Sequence, residues 1–484
     1  MSGEKLNKNN IYNSIATFIN FLYPLITFPY VTRVLGVENI GKFNFSNSVV
    51  AYFNLIATLG ISTYAIRECA KNKIDRKKFS DLASEIFSID VYSTLVAYIL
   101  LFSALFVSKK LKDYNIYILL LSTSFALNTI GTLWVCNAVE DFKYISLRTI
   151  ILHMFTLAGL FVFVKNENHL YIYVVLTVIA NFGSNLFNVF YRKRYVDIRF
   201  VLKPNIKKHL KKIILLFSQT VSMLLFTNAD VIMLGYCYND QMVGLYAIAV
   251  RIYNTVNSVI ASVIVVATPG LSYDYSVRNF EAFNEKISYV VNYIMFLFIP
   301  AFIGLNLMAP EIIYLISGHP YELSIISLRI LTFSLMFSLI AATLGLAILF
   351  PMGCDKVNFI SCIISAVSNI LLNLYFIPKF GVIGAAFTTA FAEFVGIINK
   401  IKFIDRNISI ANFWKLFFKY LIGSVFIIVV CMASKIFILN MIVRAVVAIP
   451  IGATVYFSYL YIIKDPLFIN LLKPIKLKLI KILH

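Results

Sequence analysis

About fourteen apolar runs, each near the twenty residues that one helical crossing of a bilayer needs, follow one another between residues 11 and 463. No other feature restricts the fold so strongly. A soluble core cannot bury so many such segments, and 60% hydrophobic against 14% charged residues is far from the balance of a water-soluble chain. The runs are too long for barrel strands of roughly ten residues, so helices are expected. The first runs span 11–34 and 43–66, the last 414–437 and 440–463, and the shortest connections lie near Pro378 and Leu439. The fold class is therefore an all-α integral membrane protein of about fourteen transmembrane helices.

The formal net charge of +20 would suggest a polyanionic partner in a soluble protein. Its placement suggests topology instead, because about 31 of the 43 basic residues fall at the N-terminus, in every second connection and in the tail Lys464 to Lys481. This puts both termini in the cytoplasm, with the first run retained as a span rather than removed as a signal. Trp134 and Trp414 fall near cytoplasmic span ends, as interfacial anchors do. Cys69, Cys136, Cys237, Cys354, Cys362 and Cys431 are scattered and form no metal or disulfide pattern, so they read as small apolar side chains.

An internal repeat appears between the first and seventh runs. Leu35-Gly36 followed by Ile40-Gly41-Lys42-Phe43 is matched by Leu234-Gly235 followed by Val243-Gly244-Leu245-Tyr246, and Asn54 then stands in register with Asn257. Six spans restore the same orientation, so the expectation is two parallel six-helix lobes plus two C-terminal helices. The domains are then 1–191 for the N-terminal lobe, 192–211 for a basic cytoplasmic linker, 212–402 for the C-terminal lobe and 403–484 for the extra helices and basic tail. The linker charge has two readings: a topology signal attracted to anionic lipid, or a docking surface for a partner enzyme.

Several segments resemble a known family. Pro24-Leu25-Ile26-Thr27-Phe28-Pro29, Arg33-Val34-Leu35-Gly36-Val37, Asn228-Ala229-Asp230 with Met233-Leu234-Gly235, and Gly381-Val382-Ile383-Gly384-Ala385-Ala386 before Glu393 resemble bacterial polysaccharide flippases. These are transporters of the Wzx or O-antigen type, in the multidrug/oligosaccharidyl-lipid/polysaccharide exporter superfamily. The resemblance implies movement of an undecaprenyl-diphosphate-linked glycan across the bacterial inner membrane, by alternating access, for O-antigen or capsule synthesis. It further implies a partner polymerase and glycosyltransferases, and a groove for the lipid tail at the two C-terminal helices.

Ionisable side chains within spans are costly and are functional candidates by default. At 1.5 Å per residue, Arg251 lies roughly 12 Å and Glu393 roughly 18 Å from the nearer outer span end. Arg251 reads as a fixed cation for a diphosphate, because guanidinium forks match phosphate oxygens; an ion pair with Asp230 is the bland alternative. Arg33, Asn54 and Asn257 are the remaining substrate candidates. Asp230, Glu393 and Asp90 are candidates for a coupling proton or sodium ion, with helix capping or interhelical hydrogen bonding as their structural alternatives; Glu85 beside Asp90 extends that site. His153 reads as a satisfied interior histidine. Pro24 and Pro29 would bend the first span as a hinge.

Covalent chemistry is not expected: the chain has no nucleotide-binding motif, no metal-ligating cluster and no sign of a cofactor. It reads as a transporter rather than an enzyme, with no nucleic-acid partner. Two other readings stay open, a cation-coupled small-molecule exporter of the same fold and a membrane polysaccharide polymerase.

Overall fold

The structure is a computed structural model that describes residues 3–405 and 407–473. The expectation for the last part of the basic tail, Lys476 to Lys481, lies outside the described residues. All regular structure among the described residues is helical. In hydrocarbon each backbone N–H and C=O must find its partner within its own segment, and only the helix achieves this strand by strand.

Helix occupies every one of the apolar runs, and among the described residues ten helices are long and apolar enough to cross a membrane. Four of the expected spans are joined in pairs within two of these helices, and Asn115–Gly131 is shorter than the rest. Gly3–Thr58 is helical throughout except at Gly36 (φ 76°, ψ 171°), and Asp355–Ile401 except at Gly381 (φ 55°, ψ −129°). At both breaks a left-handed φ is reached that a side chain would strain. The second break is a tight antiparallel hairpin, because Asn373 bonds Thr388, and Asn399 Nδ2 donates to Ser361 Oγ at 2.8 Å. The span expected at 43–66 ends earlier, at Thr58, where Leu59 and Gly60 at positive φ start a separate helix, Ile61–Asn72.

The chain forms two compact units, Met1–Gly244 and Leu245–His484. In the first, Ser93 Oγ donates to Ala57 O at 2.6 Å and the Thr94 and Thr129 hydroxyls meet at 2.6 Å. Such bonds hold bilayer helices together where the hydrophobic effect cannot. Trp134 does not anchor an interface: it is 3% exposed, within a cluster of Ile61, Tyr64, Phe79, Ala83 and Ile86. The break at Thr132 (φ 39°) turns the short Leu133–Ala138 helix inward over this cluster. Trp414, by contrast, is exposed.

The basic segment after the sixth run is a docked strap. Backbone N–H groups of Asp197, Arg199 and Val201 donate to Ser80, Ser84 and Ser88 hydroxyls at 3.1, 3.0 and 2.8 Å. Serines four apart on a helix rise about 6 Å, close to two residues of extended chain at about 3.3 Å each, so the two ladders stay in step. Tyr92 hydroxyl adds a 2.7 Å bond to Leu202 O. The second unit repeats the arrangement: Ser409 N donates to Asn284 Oδ1 at 3.2 Å, Ala411 N to Ser288 Oγ at 3.0 Å, and Asn284 Nδ2 to Asn407 O at 2.9 Å.

In the second unit the two C-terminal helices, Phe413–Phe437 and Met441–Ile462, pack on Phe280–Leu307. Lys419 pairs with buried Asp465, Tyr456 hydroxyl donates to Phe296 O at 2.8 Å, and Arg444 Nη1 reaches Glu311 Oε1 at 2.7 Å.

Candidate functional site

In the second unit, Arg251 lies exposed on the Asp240–Ser276 helix, two residues before buried Tyr253 and six before half-buried Asn257. Asn257 Nδ2 donates to Ser338 Oγ at 3.3 Å, while Asn257 Oδ1 is buried without a partner among the described residues. Ser338 also lies beside the Glu393 carboxyl, and Glu393 lies close to Tyr253. Two expected residues on two helices, Asn257 and Glu393, thus share Ser338 as a neighbour in the second unit, and Arg251 stands on the same helix as Asn257. Ser334, wholly buried, lies beside the Tyr253 hydroxyl.

Lys400 was not singled out in the sequence, although it stands two turns beyond Glu393 on one helix. It is buried and donates to Ala341 O at 2.9 Å, and Asn358 Nδ2 donates to Gly345 O at 2.8 Å. Both carbonyls border a π-helical stretch, Thr343–Leu349, whose widened turn frees backbone oxygens for outside donors. Nothing in the residue pattern announces a π turn, so the lysine looked like a connection residue.

In the first unit, Asp90 is 6% exposed on the Arg76–Val107 helix, beside the Ser93 bond to Ala57 O. Glu85 does not join it. Its carboxylate receives His209 Nε2 at 2.9 Å and Lys208 Nζ at 3.3 Å, and His209, fully buried, meets Tyr64 hydroxyl at 2.6 Å through Nδ1. Asp230 is 3% exposed and near Tyr52. Asn54 repeats its partner in register, with a buried Oδ1 that has no partner among the described residues. Arg33 is exposed, and the helix carrying Pro24 and Pro29 continues through both prolines to Gly36.

His153 is interior and stacks on Tyr23 with ring centroids 4.4 Å apart, but it is not the satisfied histidine expected, because its Nδ1 is buried without a partner among the described residues. Arg148 went unnoticed in the sequence because it lies within two turns of a span start. It is 7% exposed, with Nη1 at 2.7 Å from both Ser184 O and Asn188 Oδ1. Just outside the span, Asp141 accepts from Tyr191 and Tyr195 hydroxyls at 2.6 and 2.7 Å and from Tyr144 N–H at 3.3 Å. Burial pushes its carboxyl up, but these bonds and Arg194 outweigh that and hold it below the usual carboxylate value.

A cavity of about 280 Å³ lies between Phe280–Leu307 and the two C-terminal helices, bordered by Pro300, Gly304, Ile427, Cys431, Gly452 and Tyr456. Its walls are almost wholly apolar, and a side chain built on Gly304 would meet nothing within 4 Å.

Residues 6–273, more than half of the chain, match the family model described as polysaccharide biosynthesis protein. The chain belongs to that family. The Wzx-type resemblance of its sequence is thereby borne out. This family member is 21% identical over 269 residues to a protein of Escherichia coli (strain K12) provisionally described as an O-antigen transporter, covering 55% of this chain and 65% of that one. It is 27% identical over 183 residues to a protein of Haloferax volcanii provisionally described as a low-salt glycan biosynthesis flippase, covering 37% and 38%. The chain therefore matches less than two thirds of the length of either relative. Among solved structures, a lipid II flippase in an inward closed conformation shares the fold with TM-score 0.74 at 19% identity, over 94% of this chain and 99% of that one. An inward-facing multidrug transporter shares it with TM-score 0.58 at 16% identity, over 81% and 97%. The family member is thus a multi-pass membrane protein with a transporter fold, and its named relatives are transporters rather than enzymes.

Proposed function

We propose that the protein is a flippase that moves an undecaprenyl-diphosphate-linked oligosaccharide from the cytoplasmic to the periplasmic leaflet by alternating access. The apolar cavity beside the two C-terminal helices carries the reading, because a cargo with a long hydrocarbon tail needs a dry surface that a small polar drug does not. The family match and the relatives' names agree with it. The protein sits in the bacterial inner membrane with both termini cytoplasmic, in two lobes, 1–191 and 212–402, joined by the strap and linker of 192–211.

Arg251 binds the diphosphate: its guanidinium stays charged when water is removed, and it offers a planar pair of donors to two phosphate oxygens. Arg33 contributes a second cation, and Asn54 and Asn257 offer amide oxygens to sugar hydroxyls. Glu393, Asp230 and Asp90 are the acceptors for a coupling proton or sodium ion, while Pro24 and Pro29 let the first helix flex as the lobes rock. Delivery and onward use of the glycan fall to glycosyltransferases and a polymerase for O-antigen or capsule. The test is complementation of a flippase-deficient strain: wild-type chain restores surface polysaccharide, and restored drug efflux with no polysaccharide would overturn the reading.

A further inference from the structure

The internal repeat finds a geometric explanation at its two glycines. An ideal Cβ on Gly41 would lie 1.7 Å from the carbonyl oxygen of Asp240, and one on Gly244 would lie 2.1 Å from the carbonyl oxygen of Val37. The relation is reciprocal, since each glycine faces the backbone of the residue four positions before the other glycine. Two helix starts therefore cross about a local twofold, backbone against backbone. Only glycine permits this approach, as at close crossings of membrane helices. The obstacle is main chain in both directions, so no rotamer change could relieve it. Three side-chain contacts complete the junction: Gly235 lies against the Phe45 ring, Tyr114 hydroxyl donates to Asp240 Oδ1 at 2.5 Å, and Tyr236 stands 5.9 Å from Phe45 between ring centroids. Gly41 and Gly244 are both buried.

We propose that Gly41 and Gly244 are positioning residues of the transport cycle: they let the two matching hairpins of the repeat seal against each other, and the cycle proceeds by parting that seal. The proposal rests on the alternating-access reading above. It differs from a packing role in requiring that the contact break and re-form, so enlarging either glycine shifts the population toward the parted state.

Ser48, 4% exposed and about two turns beyond Gly41, reports that state as a single cysteine. The six native cysteines are first replaced by serine. Reaction of Ser48→Cys with a membrane-impermeant maleimide is timed in intact cells and in inverted vesicles, so either orientation reports. Gly41→Ala and Gly244→Ala should each raise the labelling rate about tenfold or more, whereas Gly270→Ala, where a Cβ meets only the end of the Lys286 side chain at 3.5 Å, should leave it unchanged. Unchanged labelling in both variants overturns the proposal. Where those variants fail to accumulate, Tyr114→Phe loosens the same junction without adding volume and should also raise labelling; a wild-type rate there overturns it equally. The assay uses no glycan, so loss of the flippase reading with faster labelling, or the reverse, separates the two claims.

Discussion

Ala411 N–H donates to Ser288 Oγ at 3.0 Å, and one repeat earlier Arg199 N–H makes the same bond to Ser84 Oγ at 3.0 Å. The strap that follows each six-helix repeat is therefore fastened to the third long helix of its own repeat. A basic segment fastened in this way is part of the bundle, with its charged side chains turned outward and its backbone spent on the serines. Ser84→Ala, which removes the acceptor for Arg199 N–H, should cost about 1 kcal/mol. It should also speed hydrogen exchange at residues 197–201 while leaving the Arg76–Val107 helix protected. Exchange unchanged at those amides would show that the bond does not hold the strap.

The Arg444–Glu311 pair is nearly buried, with side chains 13% and 2% exposed. Removing one member strands the other charge, so Glu311→Ala should destabilise the protein by about 3 kcal/mol or more. The double variant Arg444→Met, Glu311→Leu should recover most of that loss. Thermal unfolding in detergent reads both, and a double variant no better than the single would contradict the assignment.

Asp141 supplies a pH dependence with a definite sign. Its folded-state carboxyl titrates below its unfolded value of about 3.9, so its stabilising contribution is complete above that value and disappears as pH falls through the lower folded one. Asp141→Asn should lower the unfolding temperature at pH 7 and make less difference as the pH is taken below about 4. An equal deficit at pH 7 and pH 3 would contradict it.

The apolar cavity separates packing from transport. Gly304→Leu adds a side chain where a Cβ meets no atom within 4 Å, so the fold should tolerate it and thermal stability should hold or rise. Export should fall at least about tenfold when the space that takes the lipid tail is filled. Full export by a stable Gly304→Leu protein would remove the cavity from the cargo path.

Much of this fold was legible because hydrocarbon thickness leaves little freedom: length and apolarity alone located helix at every run. The hairpin at Gly381 was readable from the short connection near Pro378, and the break at Gly36 from the Leu-Gly signature of the repeat. Other features were hidden for particular reasons. Ser80, Ser84 and Ser88 look like ordinary small residues of a span start, and only the docked strap shows that their spacing matches an extended chain. Trp134 has the position of an interfacial tryptophan, but a break at Thr132 that no composition signals carries it into a core. Arg148 and Lys400 were hidden because a basic residue near a span end is the ordinary topology signal, and burial against backbone oxygens leaves no mark in sequence. The chemistry of Arg251, Asn257 and Glu393 was readable as residue types at depth; Ser338, the neighbour shared by Asn257 and Glu393, was not.

The central claim is that the cargo is an anionic lipid-linked glycan. Purified protein in liposomes carrying a fluorescent undecaprenyl-diphosphate oligosaccharide should move the lipid between leaflets well above the protein-free rate, and Arg251→Ala should lower that rate at least about tenfold through loss of the phosphate-binding fork. A wild-type protein that leaves this lipid in place while carrying a small cationic drug across the same membrane would contradict the account.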